Sequence, residues 1–222
     1  MKYYPIFLRV AGRPCLVVGG GTVAEHKVDA LLRAGARVTV ISPELTSKLA
    51  SRAADGSITY HRRRYVAGDL HGAALAYAAT DDAALHRQMA DDAAAAGVLL
   101  NVVDHPGLCD FIAPAVMQRG DLLIATSTSG ASPAMAKRIR RNLEQTFGPE
   151  YADALQILAC LRRRLAERAL SFAERQRILG ALVDSSLVEY LRDGRTDEVD
   201  RLLAATVGDG VSLASLGMER TA

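Results

Sequence analysis

Residues 14–24 read Pro-Cys-Leu-Val-Val-Gly-Gly-Gly-Thr-Val-Ala, and the fold is decided here. Leu16, Val17 and Val18 make a short apolar run of the kind that fills a buried parallel strand. Three glycines follow without a gap, and Val23 to Leu32 then carries helical spacing. Strand, glycine turn and helix form the context in which G-x-G-x-x-G/A signals a dinucleotide site. Here the pattern is Gly19-x-Gly21-x-x-Ala24. Gly19 makes the tight turn, Gly21 lets a pyrophosphate lie on the backbone, and Ala24 lets the helix pack close to the strand. The helix N-terminus offers free N–H groups to the phosphates. A glycine turn alone also occurs where nothing binds; the flanking elements give it meaning. Gly19, Gly20, Gly21, Thr22 and Val23 are therefore candidate cofactor-binding residues.

Outward from this stretch, Gly35 stops the first helix and Arg37–Ile41 reads as a second strand. Ser42-Pro43 predicts a helix start, with Ser42 as N-cap and Pro43 at the first helical position. A short strand is expected at 57–60, another at 75–79, a helix from Asp82 to Ala96, and an apolar strand at 98–103 that delivers Asp104. Alternation at this spacing predicts a parallel α/β sheet with right-handed crossovers. After residue 112 the pattern changes. Residues 115–117 and 122–126, around Gly120-Asp121, predict an antiparallel pair, and Ser132-Pro133 opens a helix to about Phe147. From Tyr151 the chain reads as helical, with a Ser171-x-x-Glu174 capping box. The Gly/Ser-rich stretch from about Gly208 is expected to be loose.

Composition narrows the function. With 27 basic and 25 acidic residues the net charge is +2, so there is no overall basic field for nucleic acid. Cys15, Cys109 and Cys160 stand far apart with no CxxC or Cys/His ligand spacing, so neither a zinc site nor a disulfide framework is indicated. Reduced thiols, the early Arg9 and Arg13, and the lack of a membrane-length apolar run lead us to expect a cytoplasmic protein without a membrane anchor.

In an open parallel sheet, ligands sit beyond the carboxyl ends of the strands. The polar residues there are Gly19 to Thr22, Ser42 with Pro43, and Thr80 with Asp81; these extend the cofactor set. Ser42 stands where an acid conventionally holds the ribose, with Glu44 two residues on. NAD is the expected cofactor, although that acid is missing and no arginine argues for NADP. Asp104 faces two readings, a turn cap before Pro106-Gly107 or a proton acceptor beside a nicotinamide. Of the basic groups, Arg62–Arg64 read as a solvated face. Lys137, Arg138, Arg140 and Arg141 follow the hydroxyl-rich loop Ser127-Thr128-Ser129 and suit an anionic partner. His26, His61, His71 and His86 read as solvated or hydrogen-bonded rather than as metal ligands.

Several stretches then act together: Pro5-Ile-Phe7, Cys15–Gly21 with Val23-Ala-Glu25 and Lys27, Ala78-Ala-Thr-Asp-Asp82, Asn101-Val-Val-Asp104, Phe111-Ile-x-Pro114 and Thr128-Ser-Gly-Ala-Ser-Pro133. The set resembles the precorrin-2 dehydrogenase/sirohydrochlorin ferrochelatase family, the amino-terminal module of siroheme synthase in its stand-alone form, over about residues 3–150. The resemblance implies a Rossmann-type NAD-binding domain at 1–112, a small α+β dimerisation domain at 113–150 and a helical domain at 151–222. It implies NAD-dependent oxidation of precorrin-2 to sirohydrochlorin for siroheme or cobalamin, with Asp104 as the acid/base residue. In some members Fe2+ insertion follows; the ion is then a substrate, and no resident metal site is expected. A fused methyltransferase domain is not expected in this chain. The implied partners are polycarboxylate tetrapyrroles and a second copy of the chain, in a homodimer. Ser127, Thr128, Ser129, Lys137, Arg138 and Arg141 are the candidate substrate contacts. The alternative is a non-catalytic NAD-sensing module, against which stand the lack of a helix-turn-helix and the presence of Asp104.

Overall fold

The structure, a computed structural model, describes residues 2–218. It divides into two compact units, Met1–Ala113 and Pro114–Ala222.

In the first unit β1 (Pro14–Val18) leads through the glycines into α1 (Thr22–Arg33), β2 (Arg37–Ile41), α2 (Ser47–Ala54) and β3 (Thr59–His61). After them come β4 (Leu75–Ala78), α3 (Ala83–Ala96) and β5 (Leu99–Val102). The sheet order is β3-β2-β1-β4-β5 and every pairing is parallel. The order reverses beside β1, which opens a crevice between the carboxyl ends of β1 and β4. Side chains alternate across the pleat. Cys15, Val17, Val38, Val40 and Tyr77 pack on Val28 and Leu31 of α1 and Leu49 of α2. Leu16, Val18, Ile41, Ala76, Leu100 and Val102 pack on the other face with Met89 and Ala93 of α3. A buried run with both faces covered explains why β1 carries no polar residue.

The expected start of the second helix is corrected. Ser42 and Pro43 do not open it; the N-cap is Thr46, whose Oγ1 accepts from the Leu49 amide at 3.4 Å. The backbone of 42–46 is already engaged. Ser42 N–H donates to the His61 carbonyl (3.3 Å), Tyr60 Oη donates to the Ser42 carbonyl (3.0 Å), and Thr46 N–H donates to the Gly20 carbonyl (2.9 Å). Those bonds hold the segment extended over the glycine turn until Thr46 frees it. The N-cap of α3 is Asp82, its carboxylate accepting from the Ala84 and Leu85 amides.

In the second unit β6 (Ala115–Arg119) and β7 (Leu122–Thr126) form the antiparallel pair, closed at Gly120-Asp121 with Gly120 at φ 53°. Then follow α4 (Pro133–Thr146), α5 (Glu150–Ala166), α6 (Phe172–Val183), α7 (Leu187–Arg192) and α8 (Thr196–Val207). Ser132 caps α4, and the Ser171/Glu174 capping box is complete. Ile157, Leu161 and Leu165 recur every four residues along α5 and meet Leu182, Leu187, Val199 and Leu203 in one core. The stretch after Gly208 is not loose: Val211, Leu213 and Leu216 are buried in that core, and the Leu213 amide donates to Asp200 at 2.7 Å. Its apolar residues outweigh its glycines. For 219–222 the expectation of looseness lies outside the described residues.

Candidate active site

The glycine turn is shaped by its neighbours. Gly19, at φ 124°, donates its amide to the Ile41 carbonyl at 2.9 Å, and a Cβ there would run into the Ala79 carbonyl. A Cβ on Gly20 would strike the Glu44 carbonyl and lie 2.8 Å from Ser42 Oγ. Gly21 is different: a Cβ there would meet nothing within 4 Å. Gly21 is also the N-cap of α1 and has no side-chain cap, so the first-turn N–H groups face open space beside it. Backbone donors at a helix N-terminus, with room for an anion against a glycine, fit the pyrophosphate of a dinucleotide.

The remaining cofactor candidates gather on the same edge. Thr22 and Val23 form the exposed first turn of α1, and Ser42 is buried against Gly20 with Pro43 exposed beside it. Thr80 lies at the end of β4, where its Oγ1 accepts from the Asp82 amide at 3.1 Å; Asp81 is exposed.

Asp104 follows β5, two strands from β1 and therefore roughly 10 Å along the edge. It is exposed and sits at φ 60°, a left-handed conformation that aspartate tolerates better than most residues. Among the described residues only Ser129, at φ 54°, shares that property without being glycine. Backbone held in this region concentrates at functional sites.

The turn beneath Asp104 is clipped to the sheet. Cys109 Sγ donates to the Val102 carbonyl at 3.1 Å and accepts from the Val102 amide at 3.2 Å, while Asn101 Nδ2 donates to the Phe111 carbonyl at 2.8 Å. Burial pushes the Cys109 thiol pKa up, consistent with a structural thiol. Lys27 of α1 places its Nζ 5.0 Å from the Tyr77 ring centroid. Burial lowers its pKa, while the charge on Asp104 and then Cys109 act the other way. Sequence reading had no signal for the Lys27–Tyr77 contact, because strand and helix partners are set by packing.

The expected substrate residues lie in the second unit. Thr128 Oγ1 accepts from the Ser132 amide and Ser127 Oγ from the Ser129 amide, each at 3.0 Å. Lys137, Arg138 and Arg141 are exposed on α4 at spacings of three and four, hence on one face. Arg140 is instead tied to Glu144. Among the described residues no group of three or more His, Cys, Asp or Glu gathers as a metal site.

Residues 6–115 match the family described as "Putative NAD(P)-binding", and residues 119–146 match the sirohaem biosynthesis protein central family. The two matches run in order along the chain. The chain belongs to the sirohaem-biosynthesis family. A siroheme synthase of Nitrosococcus oceani is 38% identical over 95% of this chain and 45% of its own length. That of Methylobacillus flagellatus is 40% identical over 80% of this chain and 38% of its own. The chain thus spans under half the length of these relatives. A solved structure, "SirC, precorrin-2 dehydrogenase", aligns with a TM-score of 0.72 at 26% identity, covering 90% of this chain and 100% of that one. No helix among the described residues is long and apolar enough to cross a membrane.

Proposed function

We propose that the chain catalyses NAD-dependent dehydrogenation of precorrin-2 to sirohydrochlorin in siroheme or cobalamin synthesis. The observation that carries this is a pair of features on one sheet edge. An open glycine cradle lies at Gly21, and a carboxylate in left-handed backbone lies two strands away at Asp104. The solved precorrin-2 dehydrogenase of matching fold supports the substrate.

NAD, when bound, takes up the hydride of the oxidation. Gly21 leaves its pyrophosphate room against the backbone, Gly19 and Gly20 let the turn pack against Ala79 and Glu44, and the first turn of α1 supplies the donors. Asp104 accepts the proton that leaves the tetrapyrrole as its carbon is oxidised. Lys27, with its ammonium against the Tyr77 ring, brings a positive charge near Asp104. Ser127, Thr128, Ser129, Lys137, Arg138 and Arg141 bind substrate carboxylates through hydroxyls and charge-assisted bonds.

Residues 113–150 serve as the dimerisation segment, the helices after 150 as a third part, and the working form is a homodimer. One face of the β6–β7 pair carries the cross-strand pairs Val116–Ala125 and Gln118–Leu123, and Val116 and Leu123 are 45% and 42% exposed. An unpartnered apolar sheet face suits a second copy.

An anaerobic assay of the purified chain with precorrin-2 and NAD tests this reading. NADH absorbance and the sirohydrochlorin spectrum should rise together. A sensor module would bind NAD and change neither. Ferrous ion added afterwards reports whether metal insertion follows.

A further inference from the structure

His86, in α3, is 2% exposed. Its Nε2 lies 2.8 Å from the Thr80 carbonyl oxygen, so Nε2–H is the donor. In the neutral ring Nδ1 then keeps its lone pair, and this Nδ1 is buried with no hydrogen-bond partner. Leaving such an atom buried and unpaired is costly, which calls for a reason. The ring packed against His86 is that of His105, with centroids 4.8 Å apart and planes inclined at 60°. His105 directly follows Asp104 and is exposed.

We propose that His86 and His105 form a two-imidazole site for a divalent ion of the borderline class, such as Fe2+, Co2+, Ni2+ or Zn2+, beside Asp104. The spacing fits. An ion about 2.0–2.1 Å from each donor nitrogen lies about 3.2 Å from each ring centroid, so ligands at roughly 90–110° have centroids about 4.5–5.2 Å apart. The observed 4.8 Å falls inside that window. The hydrogen bond of His86 is also the one a metal-binding histidine makes: the second ring nitrogen is tied to a carbonyl, which fixes the tautomer and the ring plane. Imidazole selects this class of ion over Mg2+ and Ca2+, which prefer oxygen.

Two protein ligands leave most coordination positions to exchangeable water. The site therefore holds a passing ion rather than a permanent one, in agreement with the lack of a larger ligand group among the described residues. The exposed His105 ring is the mobile half, able to turn a nitrogen toward an ion already resting on His86. Sequence spacing could not show this, because residues 86 and 105 lie on opposite sides of β5 in the chain.

The test is an anaerobic titration of the untagged full chain with Co2+, followed by visible absorption and calorimetry. NAD and tetrapyrrole are left out, so the outcome is independent of the dehydrogenase reading. We expect one ion per chain, weakened on the order of tenfold or more in His105→Ala, and unchanged in His61→Ala and His71→Ala. His86→Asn should lose binding as well. Because that position is buried, the exposed His105→Ala variant, checked for folding by circular dichroism, decides the matter. Wild-type protein that takes up no Co2+, or His105→Ala that binds it as tightly as wild type, would overturn the proposal.

Discussion

The amide of Thr46 donates to the carbonyl of Gly20 across 2.9 Å, tying the loop after β2 onto the glycine turn that follows β1. The contact leaves no space for a side chain at Gly20, yet Gly21 one residue on faces open space. The adjacent glycines therefore have different jobs. Gly20→Ala must push the 42–46 loop away, and we expect it to lower Tm by several degrees and to weaken NAD at least tenfold. Gly21→Ala should leave Tm almost unchanged while weakening NAD comparably, because its Cβ meets only the cofactor. Thermal melts and NAD calorimetry on the two variants check this split.

Asp29 on α1 accepts from Lys48 Nζ at 2.5 Å and Arg52 Nη2 at 2.7 Å on α2. The Lys48 hydrogen bond, with Arg52 assisting and burial opposing, holds the Asp29 pKa below the usual carboxylate range. A pKa lower in the folded than in the unfolded state stabilises above the unfolded value and loses that contribution as pH falls through the folded one. Asp29→Asn should therefore cost about 0.5–1 kcal/mol at pH 7, an amount limited by the exposed Lys48. The gap to wild type should shrink below about pH 4 in denaturant melts taken across pH.

Glu150 opens α5 at 6% exposure, and Arg192 of α7 answers it, Nη2 to Oε1 at 2.9 Å. The carboxylate also folds back over Gly148, where a Cβ would collide with it. Arg192→Ala removes the cation that answers this carboxylate and should lower stability. Glu150→Gln combined with Arg192→Ala should cost less than the sum of the two, as a double-mutant cycle from urea unfolding will show.

Much of the first unit was legible because buried parallel strands and amphipathic helices write themselves in period and punctuation. The Leu16–Val18 run, the stop at Gly35 and, in the second unit, the Ser132 cap all act within a few residues of themselves. The failures share a cause. Ser42-Pro43 has the local grammar of a helix start, but Gly20, Tyr60 and His61 engage that backbone from other elements. The tail after Gly208 has the composition of a loose end, but Val211, Leu213 and Leu216 are held by the helical core. The placement of Asp104 just beyond an apolar strand was readable from the sequence. The Cys109 clip, the Lys27 contact with Tyr77 and the His86–His105 pair were not, since each joins segments that only the fold brings together.

The central claim is that Asp104 moves the proton while the glycine turn holds the dinucleotide. Its most direct test compares wild type with Asp104→Asn in anaerobic turnover of precorrin-2 and in NAD binding. We predict a loss of kcat of about a hundredfold or more, with the NAD Kd within about threefold of wild type, or about 0.6 kcal/mol. Near-normal turnover by Asp104→Asn would contradict the account.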